Sequence, residues 1–414
     1  MEHAAIFWWT LLWMIAWGIV GALVTPRIYL TRNLDLSRAR LVGTGLGAAM
    51  GPIGLAPLWW KTPRLSTRWV AVSIAAVVFL LAAAFALANP NNSCVTNPSF
   101  VASQLVNGIV MGTIYGLMAL GLTLIFSILR VVSFAHGEFY MIGGMVTYFV
   151  TSVWLPGLHP VFAVAVACLV TFAIGALFER LFLTPMYSGA AERPGEYAIL
   201  VTFGLAFVLQ YLVQALAGTS PVKAQRFFDF PSVRLPGAED PWLVNMSAGN
   251  LTLFDTISIA NPRLVAALMS LAMLGLLLLF LYRTWTGKAL RAVSQDRQAS
   301  AVAGINPDRM NMLAFGLGCM LAGLSGAALV QAFSWLPQVG MIPALRSFVI
   351  IVLGGLGSLP GAFLGGLILG TVEAAGTGCI PDTTRAAAYL PAYGMIILTL
   401  VLLLKPTGLF GKPQ

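Results

Sequence analysis

The segment RTWTGKALRAVSQDRQASAVAGINPDRM, residues 283–310, decides the fold because it is a polar island between two long apolar segments. Residues 288–303 contain strong helix formers with no Pro and no internal Gly, Gly304 follows as a helix C-cap, and Pro307 prevents continuation. The pattern predicts a short amphipathic helix across a loop of a membrane protein. Such a helix is either a solvated connection or a surface on which a soluble partner docks. The charged residues of the polar island are the cations Arg283, Lys288, Arg291, Arg297 and Arg309 and the anions Asp296 and Asp308.

The composition of the 414-residue chain is that of an integral membrane protein. Hydrophobic residues make up 59% of the chain and charged residues 9%, and the mean hydropathy is +0.88. These values exclude an ordinary soluble domain, because apolar stretches of about 20 residues are long enough to cross a bilayer as helices. The net charge of +9 is explained by cations retained on the cytoplasmic side, without invoking nucleic acid.

The apolar segments predict an all-α, polytopic transmembrane helical bundle with broken or re-entrant Gly/Pro-rich segments. When the polar island is placed inside, all but six of the 23 Lys and Arg residues lie at the inner side, as the positive-inside rule requires. On this map residues 218–262 form an outer loop, and Gly108, Gly112 and Gly116 share one helix face that suits close packing. The predicted apolar segments are 6–24, 69–88, 105–129, 139–155, 161–183, 196–217, 264–282, 312–333, 345–375 and 389–404.

Two domains are predicted, residues 1–99 and residues 100–414. The first is an N-terminal extension with about two transmembrane helices and one segment, 41–60, that is interrupted by Gly and Pro. Cations flank segment 41–60 on both sides, which favours a re-entrant or interfacial placement over a span. No Lys or Arg precedes the first apolar stretch, so an uncleaved span with an outer N-terminus is expected.

The sequence SFAHGEF, residues 133–139, interrupts an apolar region and supplies His136, Gly137 and Glu138 as candidates for the translocation path. Ionisable residues near membrane depth are costly and usually face a cavity or a partner. One interpretation is a discontinuity that lines the path. The other is a tight turn at the cytoplasmic side, held together by the same residues and placed there by Arg130.

A second Gly/Pro-rich break, GGLGSLPGAFLGG at 354–366, lies in the middle of the apolar block 345–375. Because the island and the C-terminus are both expected inside, the block must cross an even number of times, and two short helices meeting at a broken turn satisfy this. The break either contributes to the path or is a packing kink. Glu373 either bonds to a neighbouring helix or faces the conduit, and Glu179 is expected to pair with Arg180. The path candidates in this block are Gly354, Gly355, Gly357, Pro360 and Glu373.

The four cysteines show no spacing typical of a metal site, and none is predicted. Cys94 and Cys379 both fall on the outer side of the map, where a disulfide between them could form in an oxidising compartment.

Four stretches together resemble the permease subunit of branched-chain amino acid ABC transporters, the hydrophobic amino acid uptake family. They are GLMALGLTLIFSILRVVSFAHGEFYMIG (116–143), GKALRAVSQDRQASAVAGINPDRMNMLAFGLG (287–318), VLGGLGSLPGAFLGGLILGTVEA (352–374) and KPTGLFG (405–411). Their order and spacing match the family from about Phe100 to Gly411. The resemblance implies that residues 100–414 are an ABC importer permease domain of the bacterial inner membrane.

The resemblance also implies a role for the polar island. Such permeases carry a cytoplasmic Glu-Ala-Ala-x-x-x-Gly helix that docks on the ATPase, and residues 298–304 (QASAVAG) occupy that pattern with Gln for Glu and Ser for the second Ala. The implied partners are two ABC ATPase subunits, a second permease subunit that forms a heterodimer, and an external substrate-binding protein. ATP and Mg²⁺ are expected on the ATPase subunits, with no cofactor on this chain. The expected docking residues are Arg291, Gln295, Asp296, Gln298, Ala299, Ser300 and Gly304.

The runner-up function is an ion-coupled secondary transporter or channel for small solutes. That function would need acidic or polar coupling residues at mid-membrane, whereas the charge here is concentrated in one docking-like loop. The chain has no GxxxxGK[ST] motif and is not expected to be an enzyme.

Overall fold

A computed structural model describes residues 97–187, 191–227, 244–246, 249–253, 257–379 and 386–411, together with Ile15, Gly18 and Cys94. The predictions for segments 6–24, 41–60 and 69–88, and with them most of the domain 1–99, lie outside these residues. Over the described residues the chain forms eleven longer or α-helical segments, one 3-10 turn (Ala386–Tyr389) and three short strands. The helices are α1 (Pro98–Leu129), α2 (His136–Tyr148), α3 (Pro160–Tyr187), α4 (Pro194–Ala217), α5 (Asn261–Arg283), α6 (Trp285–Gln295), α7 (Arg297–Val302), α8 (Pro307–Leu329), α9 (Met341–Gly354), α10 (Leu359–Cys379) and α11 (Leu390–Leu404), and the strands are β1 (Val244–Met246), β2 (Asn250–Leu253) and β3 (Ile257–Ala260).

Six of the described helices are long and apolar enough to cross a membrane: α1, α3, α4, α5, α8 and α10. Helices α1 and α8 are the centre of the bundle, since 78% of the most apolar window of each is buried, against 11% for α4. Helix α2 continues as a π-helical segment, Phe149–Trp154, and α9 and α11 are shorter apolar helices. The polytopic helical bundle predicted from the apolar segments is confirmed.

The small-residue stripe on α1 brings that helix into close contact with α10. A Cβ on Gly112 would lie 2.8 Å from the Cα of Leu367, and Gly108 and Gly116 meet α10 in the same way one turn before and after. Backbones approach this closely only where side chains are absent. The predicted packing face is therefore confirmed, and its partner is the helix that follows the Gly/Pro break.

The break in the block 345–375 is a turn between two helices, as predicted. Helix α9 ends at Gly354 and α10 begins at Leu359. Gly355 and Gly357 have φ values of 101° and 82°, which favour glycine because a Cβ is disfavoured there. The C-terminal segment packs on the turn, with the Phe410 amide donating to the carbonyl of Gly354.

The loop 218–262 carries structure of its own. Strands β1, β2 and β3 form an antiparallel sheet in that order, with Val244 opposite Leu253 and Asn250 opposite Ala260. Residue Val222 also forms an antiparallel bridge with Trp335, in the segment after α8.

The polar island forms two helices, so the single helix expected over 288–303 is wrong in its bounds. Helix α6 begins at Trp285, with the Thr284 hydroxyl accepting from the Gly287 amide, and it ends at Gln295. Asp296 then adopts extended backbone and caps α7, since its carboxylate accepts from the Ala299 amide at 2.9 Å. The break occurs because Asp is a better N-cap than helix-interior residue. Gly304 has a φ of 83° and ends the island helices as predicted.

Candidate functional site

A cavity of about 850 Å³ opens between the outer half of α1, the sheet, and helices α5, α8, α9 and α10. Arg263, which lines it, lies at the start of the 23-residue α5, and the polar island follows the end of that helix. At 1.5 Å per residue the two ends are about 34 Å apart, so the cavity and the island lie at opposite ends of the bundle. With the island inside, the cavity faces outward.

The floor of the cavity lies near the middle of the membrane. Met118 and Tyr140 line it, and Met118 is eleven residues before the end of α1, or about 16 Å. Directly at this level the buried His136 donates from Nε2 to the Met118 carbonyl at 2.9 Å. Gly137 meets the carbonyl of Gly340, at the start of α9, so tightly that no side chain would fit. These contacts close the cavity toward the inside.

The walls are largely apolar. Trp335 is fully buried, donates from its indole to the Met141 carbonyl at 3.0 Å, and packs on Tyr140 with ring centroids 4.9 Å apart. The indole lies so close to Gly144 that a Cβ there would overlap it. Other apolar residues along the wall include Met111, Ile114, Leu329, Phe333, Val339 and Ile342.

Three charged side chains line the cavity, two cations and one anion. Arg346 of α9 donates from Nε to Oε1 of Glu373 of α10 at 2.9 Å, and the pair is largely buried, with side-chain exposures of 19% and 5%. The Arg346 guanidinium also lies over the ring of Tyr115, 4.9 Å from its centroid. Arg263 lies 5.3 Å from the centroid of the Phe333 ring, and among the described residues it forms no ion pair with a carboxylate.

Of the path candidates named from the sequence, Glu373 lines this cavity. His136, Gly137 and Glu138 lie at its floor and do not line it. His136 contacts α1 three turns before the end of that helix, so residues 131–135 run back along α1 instead of forming a tight turn at its inner end. Gly354, Gly355, Gly357 and Pro360 form or flank the turn between α9 and α10.

Sequence reasoning missed Tyr115, Arg263 and Arg346 as site residues. Arg346 carried a usable signal, because an arginine six residues into an otherwise apolar helix is costly unless it has a partner. Tyr115 carried none, since it lies in a continuous apolar run.

At the other end of the bundle, the polar island is a fixed base with a projecting tip. Helix α6 is anchored on the bundle by its buried residues Gly287, Ala289, Leu290 and Val293. Helix α7 projects, and Val302 at its end is 91% exposed. Of the docking residues expected from the sequence, the exposed ones are Gln295, Asp296, Gln298, Ala299 and Gly304.

Two of the docking candidates hold the island together. The buried Ser300 donates its hydroxyl to the Asp296 carbonyl at 2.7 Å, which closes α7 on its own cap. Arg291 is half-buried, with its guanidinium 4.6 Å from the centroid of the Tyr282 ring at the end of α5.

Arg297 connects the tip to the transmembrane helices. Its guanidinium donates to Asp308 of α8 at 2.7 Å and lies 4.0 Å from the centroid of the Tyr187 ring of α3. Glu179, expected to pair with Arg180, does not. It is buried, Arg180 is exposed, and the charges that act on Glu179 are those of Asp308 and Arg297. The expectation was wrong because consecutive helical residues point in different directions.

Cys94 and Cys379 are joined as a disulfide, with their Cα atoms 5.4 Å apart. The bond links a residue before α1 to the last residue of α10, two residues after the cavity residue Thr377.

Comparison with known proteins identifies the class. The profile of the family described as branched-chain amino acid transport system / permease component matches residues 104–405. The chain is 33% identical over 318 residues to the high-affinity branched-chain amino acid transport system permease protein BraD of Pseudomonas aeruginosa, which covers 75% of this chain and 96% of that protein. It is 30% identical over 326 residues to the corresponding protein LivH of Escherichia coli K12, covering 76% and 97%. A probable branched-chain amino acid transport permease protein LivH of Methanocaldococcus jannaschii is 27% identical over 309 residues, covering 74% and 91%. No solved structure matches.

The chain belongs to this family of permease components, and the resemblance noted in the sequence is confirmed. It is a multi-pass permease subunit of the inner membrane, with six described helices able to span it.

Proposed function

We propose that this chain lines the translocation path of an ATP-driven importer for branched-chain or other hydrophobic amino acids. An external binding protein delivers the solute to the outer cavity, and two ABC ATPase subunits bind ATP and Mg²⁺ and drive closure and opening. A second, different permease subunit completes the path. The partner subunits, and not this chain, hydrolyse ATP.

The observation that carries this proposal is the projecting tip of the polar island. Val302 is an apolar side chain that is 91% exposed at the tip of the polar island. A single exposed apolar residue is common on any surface, so the weight of this observation comes from its place beside the exposed Gln298, Ala299 and Gly304 of the docking pattern. The tip is also linked through Arg297 to α3 and α8. A movement of a docked subunit would therefore be transmitted to helices that pack around the path. Its sequence resembles the ATPase-docking helix of ABC importers, with Gln298 in place of Glu and Ser300 in place of the second Ala.

The alternating-access step follows from the closed floor. The outer cavity ends where His136 binds the Met118 carbonyl and Gly137 meets Gly340, so inward release requires these contacts to separate. We propose that ATPase movement, acting through the island, separates α2 from α1 and α9 at this level.

The test is co-purification of the partner ATPase with wild-type permease and with Val302→Glu. Because Val302 is almost fully exposed, the change leaves the fold intact and places a charge in the proposed contact. We expect the ATPase to accompany wild type and to be lost from the variant, together with ATP-driven leucine uptake in proteoliposomes.

The matched control is Gly195→Glu, which introduces the same side chain at another exposed position on the inner side, where an added Cβ meets no atom within 4 Å. It is expected to retain the ATPase. Retention of the ATPase by Val302→Glu would contradict the proposed docking surface.

A further inference from the structure

We propose that the outer cavity is a binding site for a free zwitterionic amino acid, in which Arg263 and Arg346 hold the α-carboxylate and Glu373 holds the α-ammonium. This inference rests on the proposed function and adds to it a site in the permease itself. The permease would then select its solute by both backbone charges, in addition to any selection by the binding protein.

The first support is that the charged groups in the cavity have unused capacity. Arg346 uses only Nε for Glu373, so the other two guanidinium nitrogens are available to a ligand carboxylate. Glu373 binds Arg346 through Oε1 and is also hydrogen-bonded to the Tyr115 side chain, so a ligand ammonium would share the carboxylate with Arg346 and displace the Tyr115 hydroxyl. Hydrogen bonds between charged groups in such a shielded site are strong, and the arginine fork fits a carboxylate in a bidentate manner.

The second support is the surplus cation. The charged residues among those lining the cavity are Arg263, Arg346 and Glu373. The carboxyl of Glu373 is paired with Arg346, and within the described residues Arg263 has the ring of Phe333 as a neighbour but no carboxylate within ion-pair distance. A ligand carboxylate would supply the missing anion.

The third support is that an ion pair is kept at membrane depth, where burying charge is costly. Such a pair contributes little net stability compared with apolar residues of similar size, and intramembrane ionisable residues usually mark a transport path. The apolar wall formed by Ile114, Leu329 and Ile342 offers a surface for a branched aliphatic side chain next to these charges. The volume of about 850 Å³ is within the range of small-molecule sites and accommodates an amino acid together with water.

The experiment measures equilibrium binding of radiolabelled leucine to the purified transporter, assembled with its partner subunits but without the binding protein. Competition is measured with leucinamide, which lacks the carboxylate, and with 4-methylpentanoate, which lacks the ammonium group. Wild type is expected to bind leucine at least about tenfold more tightly than either analogue, because each analogue leaves a charged group of the site without its partner.

Arg263→Gln is the decisive variant, because Arg263 is not part of the buried ion pair and its loss leaves the fold intact. We expect its affinity for leucine to fall about tenfold or more, with its affinity for leucinamide unchanged. Arg263→Lys is expected to recover part of the loss. Lys223→Gln removes an exposed cation next to the bridge at Val222 without touching the cavity lining, and it is expected to bind all three compounds as wild type does.

Undiminished discrimination between leucine and leucinamide in Arg263→Gln would overturn the inference, and so would an equal loss of discrimination in Lys223→Gln. ATP-driven uptake of leucine, isoleucine or valine by wild type in the presence of the binding protein tests the proposed function separately. Intact uptake with undiminished discrimination in Arg263→Gln would refute the zwitterion site alone. Absence of uptake of all three amino acids by wild type would refute the proposed function.

Discussion

Arg346 and Glu373 show how one residue pair combines a structural cost with a function. Each is largely buried, so removing one partner leaves the other charge without compensation inside the membrane. We expect Glu373→Gln to destabilise the permease by about 3–5 kcal/mol. The double variant Arg346→Met/Glu373→Leu is expected to be close to wild type in stability, because it removes both charges and fills the space. Thermal unfolding of the purified permease in detergent checks this, with a fall of more than about 5 °C expected in the single variant alone.

Thermal unfolding combined with leucine binding separates the structural role of the pair from its role in transport. The double variant is expected to fold yet to lose leucine binding, since it has neither the anion nor one of the cations of the proposed site. A Glu373→Gln permease as stable as wild type would contradict the cost assigned to the buried pair. Of these residues Glu373 was predicted from the sequence, because an acid among apolar residues is conspicuous. The partners of Glu373 were not, since they depend on which helices come together.

At the scale of elements, the contact between α1 and α10 depends on glycine. Gly112→Ala would place a Cβ 2.8 Å from the Cα of Leu367 and 2.9 Å from the carbonyl oxygen of Gly366, both backbone atoms that cannot rotate away. We expect a loss of about 1–3 kcal/mol in stability, measured by thermal unfolding.

Gly204→Ala is the matched control, because Gly204 lies within helix α4 with no neighbouring atom within 4 Å of the added Cβ. That change is expected to be neutral or to stabilise by about 0.5–1 kcal/mol, through helix propensity alone. Equal effects of the two substitutions would contradict a tight α1–α10 contact.

Helix periodicity and the punctuation by Gly and Pro were enough to predict the spans that the structure describes, the turn between α9 and α10 and the glycine face of α1. All three are encoded within short stretches of sequence. The split of the polar island at Asp296 was missed because average helix propensity hides a single strong N-cap. The outer cavity could not be predicted at all, since its lining comes from seven helices and a sheet that only the fold brings together.

At the scale of the whole molecule, the disulfide between Cys94 and Cys379 tests the topology and the outer position of the cavity together. The two residues are 285 positions apart, and a bond between them requires both to reach the same, oxidising side of the membrane. Cys168 and Cys319, which lie within α3 and α8, are free thiols and serve as internal controls.

We expect non-reducing peptide mapping of the permease from native membranes to recover one linked peptide containing Cys94 and Cys379. Cys319, being buried, is expected to react with an alkylating reagent only after unfolding. Recovery of Cys94 and Cys379 as free thiols would contradict the pairing. Reaction of both with a membrane-impermeant reagent added from the inner side would place the cavity on the wrong side of the membrane for solute capture.

Because Cys379 ends the helix that carries Glu373 and Thr377, the bond also ties the segment before α1 to the mouth of the cavity. Its reduction is therefore expected to weaken leucine binding in wild type but to leave binding by Cys379→Ser unchanged.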